Sequence, residues 1–248
     1  MCDQLSQFVV DKYVHLKEFL AKESCAELTA ELKRLVAEKQ TVQDSQCPKS
    51  EAIHGAMAFD KLLVDLLPHF ERASGKRLYP TYSYARLYAP GEDLTIHTDR
   101  PSCEISATLT LGFEGDVWPI YMGDEGKANA SKIDMAVGDA VLYRGMDKHH
   151  WREEYTEGKW QAQVFLHYVD KNGKYADWKY DKRDALGISK TEVEKEKCFA
   201  RPTRPHHSKN LRQMSHLWVF GIAIHQLRKP KLLEPFPDDC FGGFRHWQ

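Results

Sequence analysis

The residues with the clearest chemical potential are His97, Thr98 and Asp99, followed about fifty positions later by His149 and His150. On a strand, residues i and i+2 point to the same face, so His97 and Asp99 can reach one metal ion together. A histidine from a distant strand would complete a set of two imidazoles and one carboxylate. That set occupies one face of an octahedral ion and leaves the opposite positions open, an arrangement suited to iron(II) oxygen chemistry.

The triplet alone is a weak signal. In a chain with 12 histidines, about one His-x-Asp is expected by chance. Its surroundings make it stronger. Tyr88-Ala89-Pro90-Gly91 supplies a strand end and a turn before it, and Gly138-Asp139 opens a strand run that leads toward His150. His149 and His150 compete for the distal ligand position, and His150 is preferred. His167, on the last strand run, reads as a packed histidine rather than a ligand.

These strings resemble the prolyl hydroxylase branch of the 2-oxoglutarate/Fe(II) oxygenases. In that branch a strand tyrosine, a Pro-Gly turn and His-x-Asp follow in this order. Gly138-Asp139-Ala140-Val141-Leu142-Tyr143 is similar to the family's strand before the distal histidine, and Gly158-Lys159-Trp160 to the start of its final strand. Small oxygenases of marine cyanobacterial phages resemble this chain further at Tyr82–Tyr88, His97–Leu111, Tyr143-Arg144-Gly145, His150-Trp151-Arg152-Glu153 and Gln161–Tyr168. The resemblance spans roughly residues 10 to 187 and is dense between 80 and 170. It implies Fe(II) held by His97, Asp99 and His150. It also implies 2-oxoglutarate and O2 as cosubstrates, ascorbate as an optional reductant, and hydroxylation of a small-molecule or peptide substrate. Because Asp99 is present, the related halogenases, which give that place to chloride, are disfavoured.

A 2-oxoglutarate site needs a basic residue for the distal carboxylate, because a charge entering a partly buried pocket must be paired. In the family this residue opens the last strand, which points first to Lys159. Arg152, Arg86 and Arg144 are the other candidates. Tyr88 corresponds to a tyrosine whose hydroxyl reaches the cosubstrate. Arg100, Arg144 and Gln163 are candidates for substrate contact, with Gln161 sharing the face of Gln163.

Residues 8–20 read as an opening strand. Ser24-Cys25-Ala26-Glu27 has the pattern of a capping box, and Leu28, Leu32, Leu35 and Val36 behind it predict a helix over about 24–39. Leu62, Leu63, Leu66 and Leu67 predict another over about 57–73, which Pro68 would kink or break. From Tyr79 on, β-rich runs appear at 82–88, 105–111, 117–122, 139–143 and 160–168, with weaker ones near 94–98 and 132–137. So many short strands after two helices predict an α+β fold, a double-stranded β-helix (jelly-roll or cupin-like) core over about 79–170 buttressed by N-terminal helices. The oxygenase domain is expected over 1–190, with 191–248 as a C-terminal extension. Within the extension, 198–212 is expected to be mobile and the apolar run 217–227 to dock on the core.

With 42% hydrophobic residues, 29% charged residues and a net charge of −1, the chain is globular and has no global field toward nucleic acid or anionic membranes. The six cysteines form no Cys-x-x-Cys pair, which argues against a zinc knuckle or a thioredoxin-type site. No secretory leader and no membrane span are read from the sequence, so a cytoplasmic location is expected. Two rival readings stay open. One is a cupin-like hydrolase or isomerase with a different ligand spacing. The other is a non-catalytic nucleic-acid-binding module using the basic stretch Lys195–Arg212, which is disfavoured.

Overall fold

The computed structural model describes residues 2–187. The expectations for the extension, including its boundary at 190/191, the basic stretch and the docked run, lie outside the described residues.

Among the described residues three α-helices, with the first two strands interleaved, precede the main run of strands, ten in all. The helices are α1 (Cys2–Asp11), α2 (Lys22–Ala37) and α3 (Met57–Ser74). The strands are β1 (Tyr13–Leu16), β2 (Glu51–His54), β3 (Leu78–Tyr88), β4 (Leu94–His97), β5 (Ile105–Gly115), β6 (Ile120–Gly123), β7 (Ser131–Ile133), β8 (Ala140–Tyr143), β9 (His149–Arg152) and β10 (Gly158–Asp170). They form a six-stranded sheet in the order β1-β8-β5-β10-β3-β2 and a four-stranded sheet in the order β4-β9-β6-β7. Every pairing is antiparallel. This is the expected jelly-roll core behind N-terminal helices, and it is not a closed barrel.

Period-two alternation sorts the large sheet into two unlike faces. Ala107, Leu109 and Leu111 of β5 and Ala162, Val164 and Leu166 of β10 join Leu32 of α2 and Leu62, Leu63 and Leu66 of α3 in one apolar core. The intervening residues, Ser106, Thr108 and Thr110 on β5 and Gln161, Gln163 and His167 on β10, face the other way and are also buried. Both faces are therefore covered. Helices hold the apolar face, and the four-stranded sheet encloses the polar one.

Local readings were corrected in three places. The opening strand expected over 8–20 is strand only at Tyr13–Leu16; its first residues, 8–11, belong to helix α1, and 17–20 are turn and loop. The capping box does not form: α2 starts at Lys22, its N-cap is Ala21 without a side-chain cap, and Ser24 lies inside the helix. Pro68 does not break α3. The carbonyl that loses its donor belongs to Val64, a half-exposed residue, so water can satisfy it. Gly75 ends that helix at φ 68°, where a side chain is disfavoured.

Candidate metal centre

Strand pairing between β4 and β9 brings the separated histidines together. His97 lies directly across from His150 in the ladder, and Leu94 across from Arg152, with an irregularity between the two pairs. Asp99 follows β4, and its backbone N–H donates to the Gly145 carbonyl at 2.8 Å. His97, Asp99 and His150 thereby present ligand atoms that all lie within 4.8 Å of one another. Asp99 Oδ1 is 3.8 Å from His97 Nε2 and 3.6 Å from His150 Nε2. His149 does not join them, as expected for the neighbour on an alternating strand.

Both rings are oriented for ligation. His97 Nδ1 lies 2.8 Å from the Thr95 carbonyl and His150 Nδ1 3.1 Å from the Lys148 carbonyl. A carbonyl only accepts, so each Nδ1 carries the proton and each Nε2 offers a lone pair to the cavity. Burial pulls His150 down to about 4, which keeps its imidazole neutral and able to bind a metal. The chemistry of this donor set, two imidazole nitrogens and one carboxylate oxygen, fits a first-row divalent metal with open positions.

A cavity of ≈ 460 Å³ opens at these three residues. One wall is the inward face of β3, with Tyr82, Tyr84, Arg86 and Tyr88. Arg86 is buried and heavily engaged. It pairs with Asp44 and donates to Gln46 Oε1 at 3.3 Å, to the Tyr84 hydroxyl at 3.1 Å and to the Tyr88 hydroxyl at 3.3 Å. It therefore ties the segment around Asp44 to the wall. Arg100 also lines the cavity, and its guanidinium is bound in two-pronged fashion to Asp181 at 3.0 Å.

Three anticipated residues are elsewhere. Lys159 is exposed and pairs with Glu114 on the outer surface. It has the parity of Gln161, but it sits at the strand entry, where the β10–β5 register shifts, so the alternation that points Gln161 inward does not carry over. Arg144 lies past the end of β8 and pairs with Asp147 at 2.5 Å, outside the cavity lining. Gln163 is inside the sheet sandwich, but its amide donates to Thr108 Oγ1 at 2.8 Å and does not line the cavity.

Arg152 is the unusual one. It shares a face of β9 with His150, is 1% exposed and donates to the Trp118 carbonyl. Its Nε and Nη2 meet no hydrogen-bond partner among the described residues. The guanidinium lies 4.9 Å over the Trp118 ring, beside an aromatic cluster with Tyr88 and Tyr155. Burial draws it down to about 10, against the pull of the nearby Tyr88 and Tyr143 hydroxyls, so it stays a cation at neutral pH. Gln161 Oε1 accepts from the Trp118 backbone N–H at 3.2 Å. Arg152 and Gln161 thus share one buried region of the sandwich around Trp118, next to the cavity but outside its lining, and β9 delivers a cation there that β10 does not.

Two residues near the centre were not picked out by the sequence reasoning. At Gly145 any Cβ would overlap the Asp99 carboxylate and the Cys103 carbonyl, so only glycine leaves the carboxylate its place. Ser106 touches Asp99 through its hydroxyl. Nothing local in the sequence marks either one as a neighbour of Asp99, although both lie in strings that carried the resemblance.

No protein-family model matches the chain, and no curated protein matches it. Solved structures do. A prolyl-4-hydroxylase from Pseudomonas putida superposes with a TM-score of 0.56 at 16% identity, covering 68% of this chain and 98% of that one. The non-haem alpha-ketoglutarate-dependent carbocyclase SnoK of nogalamycin biosynthesis gives 0.58 at 11% identity, over 84% and 94%. HygX from Streptomyces hygroscopicus, with nickel and 2-oxoglutarate bound, gives 0.57 at 14%, over 76% and 96%. The chain therefore has the fold of the 2-oxoglutarate/Fe(II) oxygenases. Among the described residues no helix is long and apolar enough to cross a membrane.

Proposed function

We propose that this chain is a non-haem iron(II) dioxygenase that uses 2-oxoglutarate and O2, with His97, Asp99 and His150 as the metal ligands. The observation that carries the reading is the convergence of two imidazole Nε2 atoms and one carboxylate oxygen within 4.8 Å in the lining of a cavity. Iron with 2-oxoglutarate would supply oxidation of a substrate by O2 with release of succinate and carbon dioxide. The chain's own residues bind, orient and enclose. The two backbone carbonyls fix the imidazole tautomers, and the aromatic wall keeps bulk water from the reacting atoms.

For the cosubstrate we assign the distal carboxylate to Arg152 in place of Lys159. A buried, charged guanidinium with two unpartnered nitrogens is costly to keep, and a carboxylate from a ligand would offset that cost. Arg86 is less suited because Asp44 already takes its guanidinium. Tyr88 has its hydroxyl beside Arg86 in the same cavity wall and would flank the cosubstrate. The structural relatives support this chemistry by what they bind, since HygX holds 2-oxoglutarate and a metal.

The substrate class we assign is a small molecule or a peptide side chain, and the reaction is hydroxylation. A cavity of ≈ 460 Å³ has to take both cosubstrate and substrate, which leaves room for one small reacting group. Arg100 lines the entrance and is the substrate-contacting candidate that remains. The test is succinate release from 2-oxoglutarate by the full chain with Fe(II) and air, screened over amino acids, other metabolites and peptides. Metal-dependent succinate that a substrate stimulates and Asp99→Ala abolishes is expected. A chain that binds metal yet never makes succinate would favour the cupin-like hydrolase or isomerase reading.

A further inference from the structure

Behind the metal centre lies a buried polar chain that the proposed reaction does not itself use. Ser106 Oγ is 3.0 Å from Asp99 Oδ2, and His167 Nδ1 is 2.9 Å from Ser106 Oγ. Ser106 is fully buried and His167 is 5% exposed. The other carboxylate oxygen, Oδ1, is the one that faces the two imidazoles.

We infer that Ser106 and His167 are positioning residues that hold Asp99 Oδ2 away from the metal, so that Asp99 ligates through one oxygen only. This rests on the metal reading above. The argument is a proton count. Ser106 has one hydroxyl proton, for which Asp99 Oδ2 and the Cys103 carbonyl at 3.1 Å compete, while the neighbouring Tyr143 hydroxyl carries a proton of its own to donate. If His167 also took that proton, Ser106 would turn a lone pair toward the Asp99 carboxylate, and the two would repel. If His167 donates from Nδ1–H, the serine proton is free for Asp99. The His167 ring is fixed for this by Tyr82, with ring centroids 4.5 Å apart.

The consequence is coordination number. Three single-atom ligands leave three positions of an octahedron, enough for a two-point chelate and O2. A carboxylate binding through both oxygens would take one of them. Asp99, Cys103 and His167 also form a second group of donors within 4.8 Å. There, however, the protein itself serves two donors. Cys103 Sγ meets the Tyr82 hydroxyl at 3.0 Å, and His167 Nδ1 meets Ser106.

The experiment is calorimetric titration of Mn(II) into the full chain, with electron paramagnetic resonance of the bound ion as a second readout. Wild type should bind one ion. Ser106→Ala and His167→Phe should weaken binding by about 10–100-fold, the range typical of outer partners, and Ser106→Ala should change the Mn(II) spectrum. Ser106→Thr keeps the hydroxyl and should retain both affinity and spectrum. His167→Asn keeps a donor at the place of Nδ1 and should rescue most of what His167→Phe loses. Should His167→Phe fail to fold, the Ser106→Ala and Ser106→Thr pair decides. Wild-type affinity and spectrum in Ser106→Ala would overturn the inference alone. A second ion that disappears with Cys103→Ser would overturn it too, by making His167 a ligand. No binding by wild type would remove the metal reading itself, and the inference with it.

Discussion

The two ends of the inward face of β9 differ in how their charges are satisfied: the metal centre at His150 lines the cavity, whereas Arg152 is buried beside it and does not line it. At the metal end the outer atom of each candidate ligand has a partner. The histidine Nδ1 atoms meet carbonyls, Asp99 Oδ2 meets Ser106, and only the atoms that would face an ion are left over. At the deep end Arg152 is buried with two nitrogens unsatisfied. The first end is organised before any ligand arrives. The second is an uncompensated cation. Prepared sites such as the metal end cost little to keep. An orphan guanidinium is kept at a cost in stability, and such costs are usually found where a ligand later supplies the missing charge.

The sharpest way to break the comparison is at the metal end. Asp99→Ala removes the one anionic ligand. We expect Mn(II) affinity, read by calorimetry, to fall by more than the ~100-fold that outer partners command, with circular dichroism unchanged. Gly145→Ala should come next. Its methyl group overlaps the Asp99 carboxylate and the Cys103 carbonyl, so metal affinity should fall at least ~10-fold. The fold should also lose about 1–3 kcal/mol to overpacking, measured by urea denaturation. Full metal affinity in Gly145→Ala would mean that the seat of Asp99 is soft rather than prepared.

A smaller effect tests how dry the region is. Burial pulls His167 from 6.5 down to about 4, so between those values the unfolded chain binds the extra proton and the folded one does not. Stability then rises with pH across that window. The contribution of the neutral imidazole is complete above about 6.5 and is lost as pH falls toward 4. Urea midpoints of the metal-free chain should therefore drop between pH 6.5 and 4, and His167→Asn should flatten that slope. Equal slopes would mean that water reaches His167.

The smallest expected change is at Lys159, where the pair with Glu114 is on the surface. Such pairs contribute little, so Lys159→Met should leave 2-oxoglutarate affinity within about twofold.

That residue also shows where sequence reading stopped. The leucine spacing of α2 and α3 and the alternation of β3, β5 and β10 are local, so periodicity exposes them. The candidate metal set was picked out by the His-x-Asp spacing, although β4 ends at His97 and Asp99 lies beyond it, and by the recognisable Trp-Arg-Glu string after His150. Alternation misleads at Lys159 because a register shift at the strand entry cancels the parity. The same rule, applied from His150, puts Arg152 on the inward face. Choosing between the two cations required knowing which had found a carboxylate, and that is a tertiary fact. Strand β2 lay hidden in a polar stretch because its pairing with β3, rather than its own pattern, makes it a strand. Ser106 and His167 are sixty-one positions apart, and only the β5–β10 pairing joins them.

The central claim is that one ligand bridges the two ends, with the metal at His97, Asp99 and His150 and a carboxylate at Arg152. Calorimetric titration of 2-oxoglutarate into the Mn(II)-loaded chain tests it most directly, comparing wild type, Arg152→Met and Lys159→Met. Binding should require the metal. Arg152→Met should lose about 3–5 kcal/mol of 2-oxoglutarate affinity while keeping its Mn(II), and its ligand-free form should melt at a higher temperature than wild type because the orphan charge is gone. Lys159→Met should bind like wild type. Full 2-oxoglutarate affinity in Arg152→Met, or its loss in Lys159→Met, would contradict the account.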